Sequence, residues 1–253
     1  ERALNMLDSI RFAANARMVP VTGAIGDKDV FFQSHVHMGE VFREEGIEFV
    51  NLIAKGTGHS IDPPTHKAQL ERVSEQLKNG PDTDPAHLQF VTSTLKYARC
   101  RWLELTALDT HYERSEFVGT RSGDSLDVTK VRNIRGFTIH RPLQTIRIEG
   151  VDVRLTDPKA SANRAFQRID GTWREVSKPE NSAPMGKRPG LQGPIDDAFA
   201  GPFLCVHGTG SPWNPEVQDY IDYDLKGDAP ELRSRVNAEP VMADAYALME
   251  PSM

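Results

Sequence analysis

The segment from Val19 to Asp62 leaves this chain few ways to fold. It runs Val-Pro-Val-Thr-Gly-Ala-Ile, then Gly-Asp-Lys-Asp, then residues at helical spacing, then Ile-Glu-Phe-Val-Asn-Leu-Ile and Gly-Thr-Gly-His-Ser-Ile-Asp. The pattern predicts a strand, an acidic loop, a helix, a second strand and a glycine-rich turn carrying one histidine. Phe31, Phe32, His35, Met38, Val41 and Phe42 set the helical period, and Gly46 ends it. Strand, helix and strand joined by short loops imply a parallel pair. In such sheets the chemistry sits in loops beyond the carboxyl ends of the strands. Asp29 and His59 both fall there, on successive strands.

A carboxylate and an imidazole so placed can act as a pair, the acid fixing the tautomer of the base. The plainer alternative makes Asp29 the N-cap of the following helix and leaves His59 in water. Only 28 residues precede Asp29, and none forms a G-x-S-x-G turn for a nucleophilic serine.

The flanking pieces predict the rest of a first region spanning residues 1–80. Leu4, Met6, Leu7, Ile10, Phe12 and Ala13 suggest a helical entry. Asp62-Pro63-Pro64 is an N-cap followed by first-turn prolines, and Ala68, Leu70, Val73 and Leu77 mark an amphipathic helix closing at Asn79-Gly80. Pro81-Asp82-Thr83-Asp84-Pro85 is the clearest boundary in the chain.

Beyond it the apolar period falls from 3.6 to 2. Leu88–Tyr97, Cys100–Leu108, Glu116–Arg121, Leu126–Val131, Phe137–His140, Thr145–Ile148 and Val151–Leu155 read as short strands. Phe166–Ile169 and Thr172–Val176 flank Asp170-Gly171, a strong hairpin signal. An antiparallel β-sandwich over residues 86–180 is the expectation. Residues 181–253 should hold an irregular connection, one strand at Pro202–His207 and a C-terminal helical segment, with Val217, Tyr220, Ile221 and Leu225 at helical spacing and a short helix over Val241–Met249.

Several motifs, taken together, resemble the end of the catalytic domain in prolyl-oligopeptidase-like serine peptidases, which are α/β-hydrolases. They are Asn15-Ala16-Arg17-Met18-Val19-Pro20, Gly26-Asp27-Lys28-Asp29, Glu45-Gly46-Ile47 and Gly56-Thr57-Gly58-His59. The similarity continues through the β-rich region to Gly190-Leu191-Gln192-Gly193-Pro194-Ile195-Asp196-Asp197-Ala198-Phe199, as in large bacterial members with an extra C-terminal region, and fades after about Leu225. The resemblance implies a partial α/β-hydrolase lobe followed by the sandwich. It implies Asp29, not Asp27, as the acid of a Ser…Asp…His triad and His59 as the base. It also implies peptide or ester substrates in the parent family. The nucleophile half of that pattern is absent, so the missing half or self-association is the expected partner.

Other features point elsewhere or nowhere. A non-catalytic binding or scaffold protein, using the sandwich to hold a glycan or protein, is the competing reading, with Trp102, Trp173 and Trp213 as groove candidates or core residues. His35-Val36-His37 has metal-ligand spacing for a strand but lies in a helical pattern, where i and i+2 diverge. No metal or cofactor is called for. His207-Gly208-Thr209-Gly210 reads as a turn, and Lys187-Arg188 as a solvated pair. A net charge of −6 argues against a nucleic-acid surface, and no apolar run approaches the roughly 20 residues of a membrane span. The two cysteines form no disulfide framework, though one bridge between Cys100 and Cys205 stays open. A start at Glu-Arg-Ala-Leu suggests a mature or excised product.

Overall fold

A computed structural model describes residue 5, residues 8–157, 163–177 and 186–193, and isolated positions at 206–207, 214, 216, 219 and 243–244. The chain divides into two compact units, Glu1–Gln192 and Gly193–Met253. In the first, helices and strands are mixed: a small parallel lobe precedes two five-stranded sheets.

The lobe begins with a 3-10 segment, Ser9–Arg17, that buries Ala13 and Ala14. Strand β1 (Thr22–Gly26) leads to helix α1 (Phe32–Glu44), strand β2 (Val50–Ala54) and helix α2 (Pro63–Asn79). β1 and β2 pair in parallel, with Thr22 opposite Val50 and Gly26 opposite Ala54. Phe42 of α1 is buried and stacks on Phe49, ring centroids 4.8 Å apart. At α2 the Asp62 carboxylate accepts the Thr65 N–H at 3.0 Å, prolines fill the first turn, and Gly80 closes the helix at φ +66°. No residue of α2 is buried, and Leu70, Val73 and Leu77 stay exposed along one stripe. Two parallel strands are too few to identify a hydrolase sheet.

The β-rich part contains β3 (His87–Thr92), β4 (Arg99–Cys100), β5 (Leu103–Leu108), β6 (Ser115–Ser122), β7 (Ser125–Arg132), β8 (Ile134–Ile139), β9 (Thr145–Ile148), β10 (Val151–Asp152), β11 (Arg164–Ile169) and β12 (Thr172–Val176). One sheet has the order β10-β9-β7-β6-β3 and the other β12-β11-β8-β5-β4. Their inner faces share one core. Leu88, Phe117, Val128 and Ile148 come from the first sheet, and Leu103, Leu105, Phe137 and Phe166 from the second. Phe117 and Phe137 meet edge to face across the gap, centroids 5.2 Å apart.

Several expectations need correcting here. The sandwich is not wholly antiparallel, because β7 and β9 run parallel, Ser125 opposite Thr145 and Val128 opposite Ile148. The chain crosses to the other sheet as β8 between them, and such a crossover returns a strand in its original direction. The strand expected over Leu88–Tyr97 stops at Thr92, and Leu95–Tyr97 is a 3-10 turn in which the Lys96 N–H donates to Thr94 Oγ1 at 3.2 Å. The strand expected over Val151–Leu155 ends at Asp152, with one further bond from the Val153 N–H to Ile146 O at 2.9 Å. In β7 the buried positions step from Leu126 and Val128 to Val131, because a bulge opposite Val118 and Gly119 shifts the phase by one residue. The Asp170-Gly171 turn takes φ +49° and +76°, as a two-residue hairpin of the I′ kind requires, and pairs Ile169 with Thr172.

In the second unit, β13 (Val206–His207) pairs in parallel with β14 (Ala243–Asp244). A strand at Ala243–Asp244 replaces part of the helix expected over Val241–Met249, where weak periodicity left pairing free to decide. Of the strand expected over Pro202–His207 the described part is β13, while residues 202–205 (Cys205 among them), the helix expected from Val217, Trp213 and Gly208-Thr209-Gly210 lie outside the described residues.

Candidate active site

The ends of β1 and β2 are tied together before any side chain of interest appears. The Asp27 N–H donates to Ala54 O at 3.0 Å and the Lys28 N–H to Thr57 O at 2.9 Å, so the two loops continue the ladder. Asp27 Oδ1 accepts the Gly56 N–H at 2.7 Å. Gly56 sits at φ +75°, and at Gly26 a Cβ would collide with the carbonyl oxygens of Thr57 and Gly58. Gly26 is therefore required where the two loops meet, while Gly56 is favoured by its positive φ. The Asp29 N–H then donates to Gly26 O at 3.2 Å, turning the acidic loop back over the strand end.

That turn aims the Asp29 carboxylate at His59. Oδ2 lies 2.8 Å from His59 Nδ1, and Oδ1 accepts the Phe31 N–H at 2.8 Å. The two aspartates thus divide the work, Asp27 holding the loop and Asp29 the imidazole. The capping alternative survives only as the Asx turn to Phe31, since α1 has no side-chain cap.

The pair is asymmetric in its exposure. The Asp29 side chain is 5% exposed and that of His59 82%. The Phe31 N–H chiefly, with His59 and His35 adding to it, holds the Asp29 carboxyl below its ordinary range against the opposing effect of burial. An ionised carboxylate only accepts, so the proton between the two belongs on Nδ1 and leaves Nε2 as the basic nitrogen. Among the described residues Nε2 has no hydrogen-bond partner. The Phe31 ring stands edge-on to the imidazole, centroids 5.8 Å apart. Chemically the arrangement can take a proton at Nε2 and return it, with the developing positive charge balanced by Asp29.

Nothing else gathers at this point. His35 packs on Phe49, centroids 5.8 Å apart, and burial pushes its pKa down although Asp29 works the other way. His37 faces Glu40 at 3.3 Å. The two histidines diverge along α1, and no cluster of three metal-ligating side chains occurs among the described residues. A cavity of about 740 Å³ lies between the 3-10 segment, β1 and α1, lined by Phe12, Val21, Met38, Phe42 and Phe49; neither Asp29 nor His59 borders it.

Of the aromatic candidates, Trp102 and Trp173 pack in or on the core rather than line a groove. Trp102 is fully buried with Nε1 donating to Pro85 O at 2.9 Å, and Trp173 packs on Phe137 at 5.2 Å. Lys187 is not merely solvated: its Nζ donates to Tyr112 Oη at 2.9 Å and to Gln192 O at 2.6 Å. The sequence counts Phe31 in the helical pattern of α1, whereas the structure sets it at the N-cap, 59% exposed and against His59. No family model, curated protein or solved structure matches this chain.

Proposed function

We propose that this chain carries the acid and base of a serine hydrolase of the prolyl-oligopeptidase-like kind, acting by acyl transfer to water at a peptide or ester bond. The observation that carries the reading is the Asp29–His59 contact of 2.8 Å, made from the carboxyl ends of two adjacent parallel strands. Parallel neighbours lie about 4.8 Å apart, so loops leaving their ends meet without strain. In this reading a serine outside the chain attacks the carbonyl, His59 Nε2 accepts its proton and passes it to the leaving group, and Asp29 stabilises the imidazolium.

The lobe also carries the features that a partner would complete. Among the described residues the parallel sheet of the lobe has two strands, and Leu70 (52% exposed), Val73 and Leu77 (75%) present an apolar stripe. The missing catalytic half, or a second copy, would cover such a surface. The scaffold alternative, with aromatic side chains lining a groove, loses support from Trp102, which is spent inside the core. No helix among the described residues is long and apolar enough to cross a membrane.

The test is turnover of acyl esters and labelling by a fluorophosphonate, measured on the protein translated from the whole reading frame containing this chain. Asp29→Asn should cut kcat by about 10⁴-fold, as loss of the orienting acid does in a triad. Unchanged turnover in Asp29→Asn and in His59→Ala would overturn the reading.

A further inference from the structure

His59 is attached to the protein by little. Its side chain is 82% exposed and makes one hydrogen bond, to Asp29. With His59 in water the contact is loosely held, because ordering an exposed side chain costs entropy and water screens the attraction. A base must nevertheless sit in one rotamer to be useful, and small displacements cost rate. Something else has to narrow its freedom.

Phe31 touches both members of the pair through separate groups. The Phe31 N–H donates to Asp29 Oδ1 at 2.8 Å, and the Phe31 ring meets the His59 ring at 5.8 Å with the planes 66° apart. That separation and tilt belong to the favoured edge-to-face range of aromatic pairs. Phe31 is itself 59% exposed, so burying the ring is not what fixes its identity. The Phe32 N–H donates to Asp29 O at 3.0 Å as α1 begins, which anchors the backbone on which the ring stands.

We propose that Phe31 is a positioning residue of the acid–base pair: its N–H orients the carboxylate, and its ring edge holds the imidazole in the rotamer that meets it. The inference rests on the reading of Asp29 and His59 as a working pair. It adds to that reading a residue whose side chain does no chemistry and acts only through His59. Removing the ring while keeping the N–H should leave Asp29 in place and release His59. A hydroxyl added at the far end of the ring should change neither contact.

The experiment is NMR of the full chain with ¹⁵N-labelled histidine, comparing wild type, Phe31→Ala, Phe31→Tyr and Asp29→Asn. In wild type we expect a nuclear Overhauser contact between the Phe31 and His59 rings and His59 protons shifted by the phenyl ring current. In Phe31→Ala the shift should vanish and the ratio of docked to free His59 rotamers should fall about two- to tenfold. Phe31→Tyr should restore both. His59 couplings and rotamer populations unchanged in Phe31→Ala would overturn the proposal. So would absence of the wild-type ring contact, which decides the matter even if Phe31→Ala fails to fold. The Asp29→Asn arm separates the two claims. If it alters the His59 tautomer ratio while Phe31→Ala leaves the rotamer alone, the pair stands and the role of Phe31 falls. If it leaves the tautomer ratio unchanged, the pair itself falls and Phe31 has nothing to position.

Discussion

His59 Nδ1 lies 2.8 Å from Asp29 Oδ2, and the two side chains come from loops 30 residues apart in sequence. In the proposed reading the contact orients a base, and among the described residues no hydroxyl or thiol is hydrogen-bonded to that imidazole. A base without an activated hydroxyl loses nearly all covalent catalysis. We therefore expect the 253-residue chain by itself to show no ester or peptide turnover and no labelling by a fluorophosphonate. Labelling that disappears in His59→Ala would show that a serine of this chain has taken the role.

The pair should respond to acid in one direction. The Phe31 N–H above all, with His59 behind it, lowers the Asp29 carboxyl from its ordinary 3.8. A carboxyl whose folded pKa is depressed contributes stability above the unfolded value and loses it as pH falls through the folded one. Asp29→Asn should thus lower the unfolding midpoint at neutral pH, with the difference from wild type shrinking below about pH 3.8. A gap that widens toward acid would contradict the sign. The carboxyl carbon of Asp29, followed by NMR, should titrate below 3.8.

At Gly26 the constraint is steric. A methyl group there would meet the Thr57 and Gly58 carbonyl oxygens, so one of the two loops must move. Gly26→Ala should destabilise by roughly 1–3 kcal/mol and weaken the Asp29–His59 contact, because Asp27 and Lys28 share the displaced ladder. Gly56→Ala has open space around it and pays only for its positive φ. It should cost roughly 1 kcal/mol and leave the His59 tautomer alone. Denaturant midpoints with the His59 ¹⁵N shifts distinguish the two.

The sequence showed what is local and hid what is distant. Asp29 and His59 were legible because strand ends and glycine turns announce where loops converge. The Asp170-Gly171 hairpin was legible because its dihedrals are written in two residues. The parallel pairing of β7 with β9 was not, since the path of a crossover depends on packing rather than on either strand's pattern. Lys187 on Tyr112 joins residues 75 apart, and no spacing rule reaches that far. The period of Leu70, Val73 and Leu77 marks an amphipathic helix, and the structure forms that helix but leaves the stripe exposed, because periodicity names an apolar face and not its partner.

In the sandwich, Phe117 is fully buried and its ring meets Trp102 at 6.2 Å and Phe137 at 5.2 Å. It is one of the side chains through which the two sheets meet. Phe117→Ala should remove about 3–5 kcal/mol, a large part of what a domain has. Calorimetry should show the main transition lost or moved down by many degrees. A shift of a degree or two would mean that the sheets are held mainly elsewhere.

The lobe is fastened to the sandwich by a side chain that imitates a strand. Asn15 Nδ2 donates to Val91 O at 2.8 Å while its Oδ1 accepts the Val91 N–H at 2.7 Å. β3 is the edge of its sheet, so Val91 would otherwise present an unpaired N–H and C=O. Val91 is 2% exposed, and water cannot readily replace a lost partner there. Asn15→Ala should orphan both groups and cost roughly 1–3 kcal/mol. Asn15→Asp should keep the acceptor for the N–H but set a carboxylate oxygen against the Val91 carbonyl, and so recover none of the loss. Nearby, Arg114 donates to Arg11 O at 2.9 Å and to Glu45 Oε1 at 3.2 Å, giving the interface a second fastening. Hydrogen exchange reads the outcome directly. In Asn15→Ala the Val91 amide should exchange far faster than in wild type, while Phe117, deep in the neighbouring strand, keeps its protection. Equal loss of protection at both amides would mean that Asn15 supports the whole sandwich and not the seam alone.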